Sequence, residues 1–288
     1  MNSLSLYKTP EGEREVMAIY TAALKTWSAP STTQTVSTRH GDAFVIASGA
    51  ASSPTLILLH GAGSNSAIWA GEAGLYSRSY RVYAVDLPGE PGRSAPNRPP
   101  WDGPAFADWL ADVLNGLGVE RATLVGISQG AWIALKFAVA QPERVDRLVL
   151  LTPGGIVPDR ISFLFRAVGL SLLGTWGLKR LTADLFGDQA VPAGVIEIVV
   201  EISRHFKPRL GVLPLFTDDE LKRLTMPLLL VGGTKDIMRD LEKIEARLRQ
   251  HVPNLAVKWL PGAGHALINT QPAVLEFLNQ SEVRAEPV

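Results

Sequence analysis

The chain has 288 residues, 46% of them hydrophobic and 19% charged, which is enough apolar material for one large domain with a sizeable core. Lys plus Arg and Asp plus Glu stand at 28 each, so the basic surplus expected of a nucleic-acid binder is missing. With no cysteine there are no disulfides, no thiolate metal sites and no cysteine nucleophile.

The first residues, Met1 to Lys8, show no basic region followed by an apolar stretch, so no signal peptide is expected. No segment reaches the roughly 18 uninterrupted apolar residues of a membrane span; Ile161 to Leu178 comes nearest and is broken by Arg166 and several glycines. A cytoplasmic protein with no membrane partner is the expectation. From Glu11 to Trp27, apolar residues at Val16, Ile19, Tyr20, Ala23, Leu24 and Trp27 fall at helical spacing, which predicts a helical extension over residues 1–30. Thr33 to Thr38 and Ala43 to Ala47 alternate and are joined through His40-Gly41-Asp42, the pattern of a β-hairpin.

After the hairpin the pattern changes to short, near-continuous apolar runs: Thr55 to Leu59, Arg81 to Val85, Ala122 to Val125, Leu148 to Leu151, Leu228 to Val231 and Ala256 to Leu260. Helical periodicity lies between most of them, as in Ala105 to Leu117 and Leu241 to His251. Such strands alternating with helices form a mostly parallel sheet covered on both faces, whose loops at the strands' carboxyl ends build the site. More than seventy residues separate Leu151 from Leu228 without a core strand, and Ile161 to Phe186 and Ala193 to Phe206 read as apolar helices. Residues 156–214 are therefore expected to be a helical cap or lid, inserted after the sixth strand of a core formed by residues 31–155 and 215–288. Thr217-Asp218-Asp219-Glu220 then carries the capping-box pattern of a helix start.

The residues with chemistry cluster at these carboxyl-end loops. Gly126-Ile127-Ser128-Gln129-Gly130 follows one apolar strand and precedes a helix-forming run, Ala131 to Ala140. Its glycines relieve a sharp strand-to-helix turn that exposes the Ser128 hydroxyl at a helix N-terminus. A serine nucleophile needs a base, and the base an orienting group. His265, in Pro261-Gly262-Ala263-Gly264-His265, follows the last strand, whereas His40, His205 and His251 lie in a turn, the insertion and a surface helix. His60 directly follows a strand and is the other candidate. Asp236, in the loop after Leu228 to Val231, sits one βα unit before His265 and can hold an imidazole in one tautomer. Asp159 is the second choice of acid, and Asp86, before Leu87-Pro88-Gly89, reads as a structural loop residue.

The order Ser128, Asp236, His265 resembles the triad order of the α/β-hydrolase fold superfamily. His60-Gly61-Ala62-Gly63 is similar to that family's His-Gly oxyanion loop. The Asp86-Leu87-Pro88-Gly89-Glu90-Pro91-Gly92-Arg93-Ser94 loop is similar to its Asp-x-x-Gly-x-Gly-x-Ser segment, with one extra residue. Pro142 to Val145 before Leu148 to Leu151 is also typical, and the likeness runs from about Thr33 to about Leu278. More narrowly, the Gly-Glu-Pro-Gly loop and Phe216 to Leu221 resemble bacterial carboxylesterases of the naproxen-esterase type.

The resemblance implies an eight-stranded sheet and a serine carboxylesterase that uses no metal or organic cofactor. It also implies an oxyanion hole made by the backbone N–H groups of Ala62 and Gln129, with His60 shaping the loop. A serine at position 128 disfavours the dehalogenase and epoxide-hydrolase chemistries, for which the family uses aspartate. Perhydrolase, C–C-bond, lactone and amide hydrolysis use the same triad and stay open, as does a ligand receptor on a hydrolase fold. The apolar insertion, with Phe163, Leu164, Phe165 and Trp176, and Trp69 beneath it, suggests a pocket for apolar acyl or aryl groups of a small-molecule ester. The expected state is a monomer or homodimer.

Overall fold

The structure, a computed structural model, describes residues 6–280; the outermost parts of the expected extension and core, 1–5 and 281–288, lie outside the described residues. Helix α1 (Pro10–Leu24) starts where Thr9 accepts the Gly12 N–H at 3.0 Å and Pro10 occupies the first turn, where a missing N–H costs nothing. A hairpin follows, with β1 (Ser31–Val36) antiparallel to β2 (Ala43–Ser48). Strand β1 ends two residues before the alternation suggests. The turn claims the next residues: Ser37 donates to Asp42, and the Gly41 N–H donates to the Thr38 carbonyl.

The remaining strands and helices alternate: β3 (Thr55–Leu59), α2 (Ala73–Tyr76), β4 (Arg81–Val85), α3 (Ala105–Gly116), β5 (Ala122–Ile127), α4 (Gln129–Ala140) and β6 (Val145–Leu151). Then come three helices in a row, α5 (Ile161–Ser171), α6 (Gly174–Phe186) and α7 (Val195–His205). Helix α8 (Asp218–Leu221), β7 (Leu228–Gly233), α9 (Leu241–His251), β8 (Leu255–Leu260) and α10 (Gln271–Asn279) complete the chain. The Thr217 hydroxyl accepts the Glu220 N–H and the Glu220 carboxylate accepts the Thr217 N–H, so the capping box at α8 is formed.

The eight strands form one sheet in the order β1-β2-β4-β3-β5-β6-β7-β8, parallel from β4 to β8. Apolar strands buried on both faces need a core on each side. One core joins α3, α4 and α9 through Trp109, Trp132, Phe137 and Ile244; the other joins Trp69, Tyr76 and α10 through Val274 and Phe277. Strands β5, β6, β7 and β8 lie side by side, so the loops at their carboxyl ends share one rim. The site is built there.

Helices α5, α6 and α7 sit between β6 and β7 in the chain and make few core contacts. No residue of α5 is buried, and Leu164, Phe165 and Trp176 are each at least 60% exposed. The end of α6 is stitched to the loop after β8: Gly264 N–H donates to the Phe186 carbonyl and Ala266 N–H to the Leu185 carbonyl. At the other end α7 is tied to the N-terminal segment. Lys8 N–H donates to the His205 carbonyl, Lys207 N–H to the Leu6 carbonyl, and Leu6, Tyr7, Val16, Ile202 and Phe206 form a small separate core.

Candidate active site

Ser128 sits between β5 and α4 with φ 50° and ψ −105°, a backbone that L-residues rarely adopt and that is held by its surroundings. Its N–H donates to the Leu151 carbonyl and its carbonyl accepts from Trp132 N–H. The flanking glycines are needed for close approach. A Cβ on Gly126 would lie 2.5 Å from the Ala131 nitrogen, and one on Gly130 would lie 2.3 Å from the Leu59 carbonyl oxygen. Without them α4 could not begin directly against the ends of β3 and β5.

His265 brings its Nε2 to 3.1 Å from the Ser128 hydroxyl, and its Nδ1 lies 2.9 Å from Oδ2 of Asp236. A carboxylate beside Nδ1 selects the tautomer that carries its proton there, which leaves Nε2 free to accept from the serine. The Asp236 side chain is itself fixed, with Oδ1 accepting the N–H groups of Met238 and Arg239 at 2.8 Å each. Thr152, with φ 46° at the end of β6, donates its hydroxyl to the His265 carbonyl at 3.3 Å. Asp236 and His265 are buried and Ser128 is partly exposed, so the relay runs from the interior to an open serine.

The other acids and histidines lie elsewhere. Asp159 pairs with the buried Arg239 guanidinium. Asp86 accepts from Tyr20 Oη, Ser66 N–H and Arg93 N–H, the loop role expected of it. His60 is fully buried, and burial lowers its pKa. Its Nδ1 lies 2.8 Å from the Gly61 carbonyl and its Nε2 accepts the Leu87 N–H, so both nitrogens serve the loop.

The loop after β3 lies against Ser128: a Cβ on Gly61 would sit 3.8 Å from the Ser128 Cβ. Ala62, next in that loop, is exposed, and Gln129 is the first residue of α4, where backbone N–H groups have no partner within the helix. An electron-rich oxygen above Ser128 would therefore meet a helix N-terminus as well as a loop. Of the aromatic residues expected at a pocket, Trp69 is 1% exposed and packs in the core with Leu58, Tyr76 and Val125. Phe163 is half-buried on α5 and Trp176 is 65% exposed on α6.

The contacts of two residues escape a reading by motif. Glu90, part of the Gly-Glu-Pro-Gly loop, is 3% exposed and bonds both to the loop after β3 and to α4. Thr152 carries no motif at all.

The profile described as "Alpha/beta hydrolase family" matches residues 56–276. The chain is 33% identical to the carboxylesterase YbfK of Bacillus subtilis, over 91% of this chain and 90% of that protein. It is 31% identical to nap, an uncharacterized carboxylesterase of the same organism, over 90% and 91% respectively. The crystal structure of naproxen esterase (carboxylesterase NP) from Bacillus subtilis superposes with a TM-score of 0.83 at 29% identity, covering 94% of this chain and all of that one.

Proposed function

Because the chain belongs to the α/β-hydrolase family, we propose that it is a serine carboxylesterase working through an acyl-enzyme on Ser128. The observation that carries this reading is the unbroken contact from Ser128 Oγ to His265 Nε2 and from His265 Nδ1 to Asp236, set at the head of α4. Ser128 attacks the ester carbonyl while His265 takes its proton, and Asp236 steadies the imidazolium. The oxyanion of the tetrahedral intermediate accepts from the backbone N–H groups of Ala62 and Gln129. Each such donor is typically worth about 2.7–4 kcal/mol of transition-state stabilisation. The alcohol leaves with the proton from His265; a water activated by the same imidazole then releases the acid.

Residues 156–214 act in this reading as a cap over the rim, with the remainder of the chain as extension and core. Its support is the position of α5, α6 and α7 between β6 and β7 and the stitching of α6 to the His265 loop. The apolar side chains of the cap favour esters with apolar acyl or aryl groups. Turnover of p-nitrophenyl acetate and butyrate by wild type, with Ser128→Ala as the control, tests the proposal. Loss of turnover in the variant is expected; turnover that survives the substitution rules out a serine mechanism at this site.

A further inference from the structure

Glu90 is a buried carboxyl that the esterase chemistry above does not use, and it sits between the two segments assigned to the oxyanion. Its Oε2 accepts the Gly63 N–H at 2.7 Å, one residue beyond Ala62. Its Oε1 accepts from the Gln129 side-chain amide at 3.0 Å, on the residue whose backbone N–H is the other donor. The same loop pair is tied further by Asn65 Nδ2 donating to the Pro91 carbonyl and by His60 Nε2 accepting from Leu87. Those two bonds fix where the loops lie. Glu90 bonds with one side chain both to the loop after β3 and to α4.

We propose that Glu90 is a positioning residue that clamps the two halves of the oxyanion hole at a fixed separation. The inference rests on the esterase reading of the same site. Both Glu90 oxygens face donors, the Gly63 N–H and the Gln129 side-chain amide, so a single carboxyl group holds both segments. Burial pushes this carboxyl up to about 7, against the pull of the Gly63 N–H, the Gln129 amide and the Arg98 and Arg209 guanidinium groups. Without it the two oxyanion donors lose their common anchor while the substrate pocket keeps its walls.

The test compares wild type with Glu90→Ala and Glu90→Gln on p-nitrophenyl butyrate, alongside inhibition by an alkyl trifluoromethyl ketone. That ketone takes up the Ser128 oxygen and leaves its own oxygen as a tetrahedral oxyanion. Glu90→Ala is expected to lower kcat by about 10- to 100-fold, the penalty for donors misplaced by a fraction of an ångström to an ångström. KM should stay within about threefold, because ground-state contacts are untouched. The ketone inhibition constant should rise by the same factor as kcat falls. Glu90→Gln, whose amide can still accept from Gly63 and donate to a turned Gln129 amide, should recover most of kcat.

If kcat and ketone affinity in Glu90→Ala match wild type, or Glu90→Gln loses as much kcat as Glu90→Ala, the clamp is overturned and the esterase reading stands. If Glu90→Ala does not fold, Gln129→Ala decides: it removes the side-chain amide that Glu90 holds and keeps the backbone N–H, so a fall in kcat matched by a rise in the ketone inhibition constant supports the clamp and unchanged values overturn it. If wild type turns over no ester, the esterase reading fails and takes this inference with it.

Discussion

Ser128 holds a left-handed backbone because hydrogen bonds and two close glycine contacts leave it no other course. Strain of this kind, about 1–3 kcal/mol per residue, persists where neighbouring structure over-determines it. His265 depends in the same way on Asp236. Asp236→Asn keeps the size of the side chain but can stabilise the wrong tautomer, so kcat for p-nitrophenyl esters should fall by about 10⁴-fold with the fold intact. If Asp159→Asn produces that loss instead, the acid is misassigned. Glu90 adds a prediction about stability. A carboxyl raised from 4.5 to about 7 binds more protons in the folded chain than in the unfolded one. Folding stability therefore falls as pH rises from about 4.5 through about 7, by about 3 kcal/mol at 1.36 kcal/mol per unit. Glu90→Gln removes that term, so its Tm relative to wild type should climb between pH 5 and pH 8. A difference in Tm that stays flat across this range would show that burial does not penalise the Glu90 charge.

At the scale of elements, the parallel part of the sheet was legible because its strands are mostly apolar runs of five to seven residues. Both the hairpin and the helical stretch from Ile161 to His205 were readable from periodicity. The rim location of Ser128, Asp236 and His265 was legible for the same reason: they follow β5, β7 and β8, and β5, β6, β7 and β8 are successive neighbours in the sheet. What could not be read was contact between distant loops. Nothing in the local sequence pairs Tyr20 with Asp86, sixty-six residues away, or sets Glu90 between Gly63 and Gln129. Trp69 illustrates the limit from the other side. An aromatic residue near a strand end looks the same in sequence whether it lines a pocket or fills a core, and here burial puts it in the core. Helices α5, α6 and α7 carry many apolar residues, and their composition does not tell which of these side chains are covered; Leu164, Phe165 and Trp176 are exposed.

Across the whole molecule, the segment between β6 and β7 is tied down along its length, its entrance held by Arg160 N–H donating to the Met238 carbonyl. Its exit packs on the sheet domain where Trp132 Nε1 donates to the Pro214 carbonyl, with Trp101 and Phe106 ringed around the same indole. Its middle is stitched to the His265 loop, and α7 is strapped to α1 through the small core at Tyr7 and Phe206. This last core is separate from the two that cover the sheet, so it can open without them. Phe206→Ala should therefore speed amide hydrogen exchange in α1 and α7 while β3, β5, β6 and β7 keep wild-type protection. Uniform loss of protection would mean that the strap and the sheet unfold as one unit.

The central claim is that ester cleavage passes through an acyl group on Ser128. Mixing the protein with p-nitrophenyl butyrate, quenching in acid within milliseconds and measuring the peptide masses tests it directly. The expected result is a butyryl adduct on the peptide containing Ser128, in step with a burst of p-nitrophenolate approaching one equivalent per chain. Rapid turnover with no burst and no adduct on that peptide, or an adduct on another residue, would contradict it.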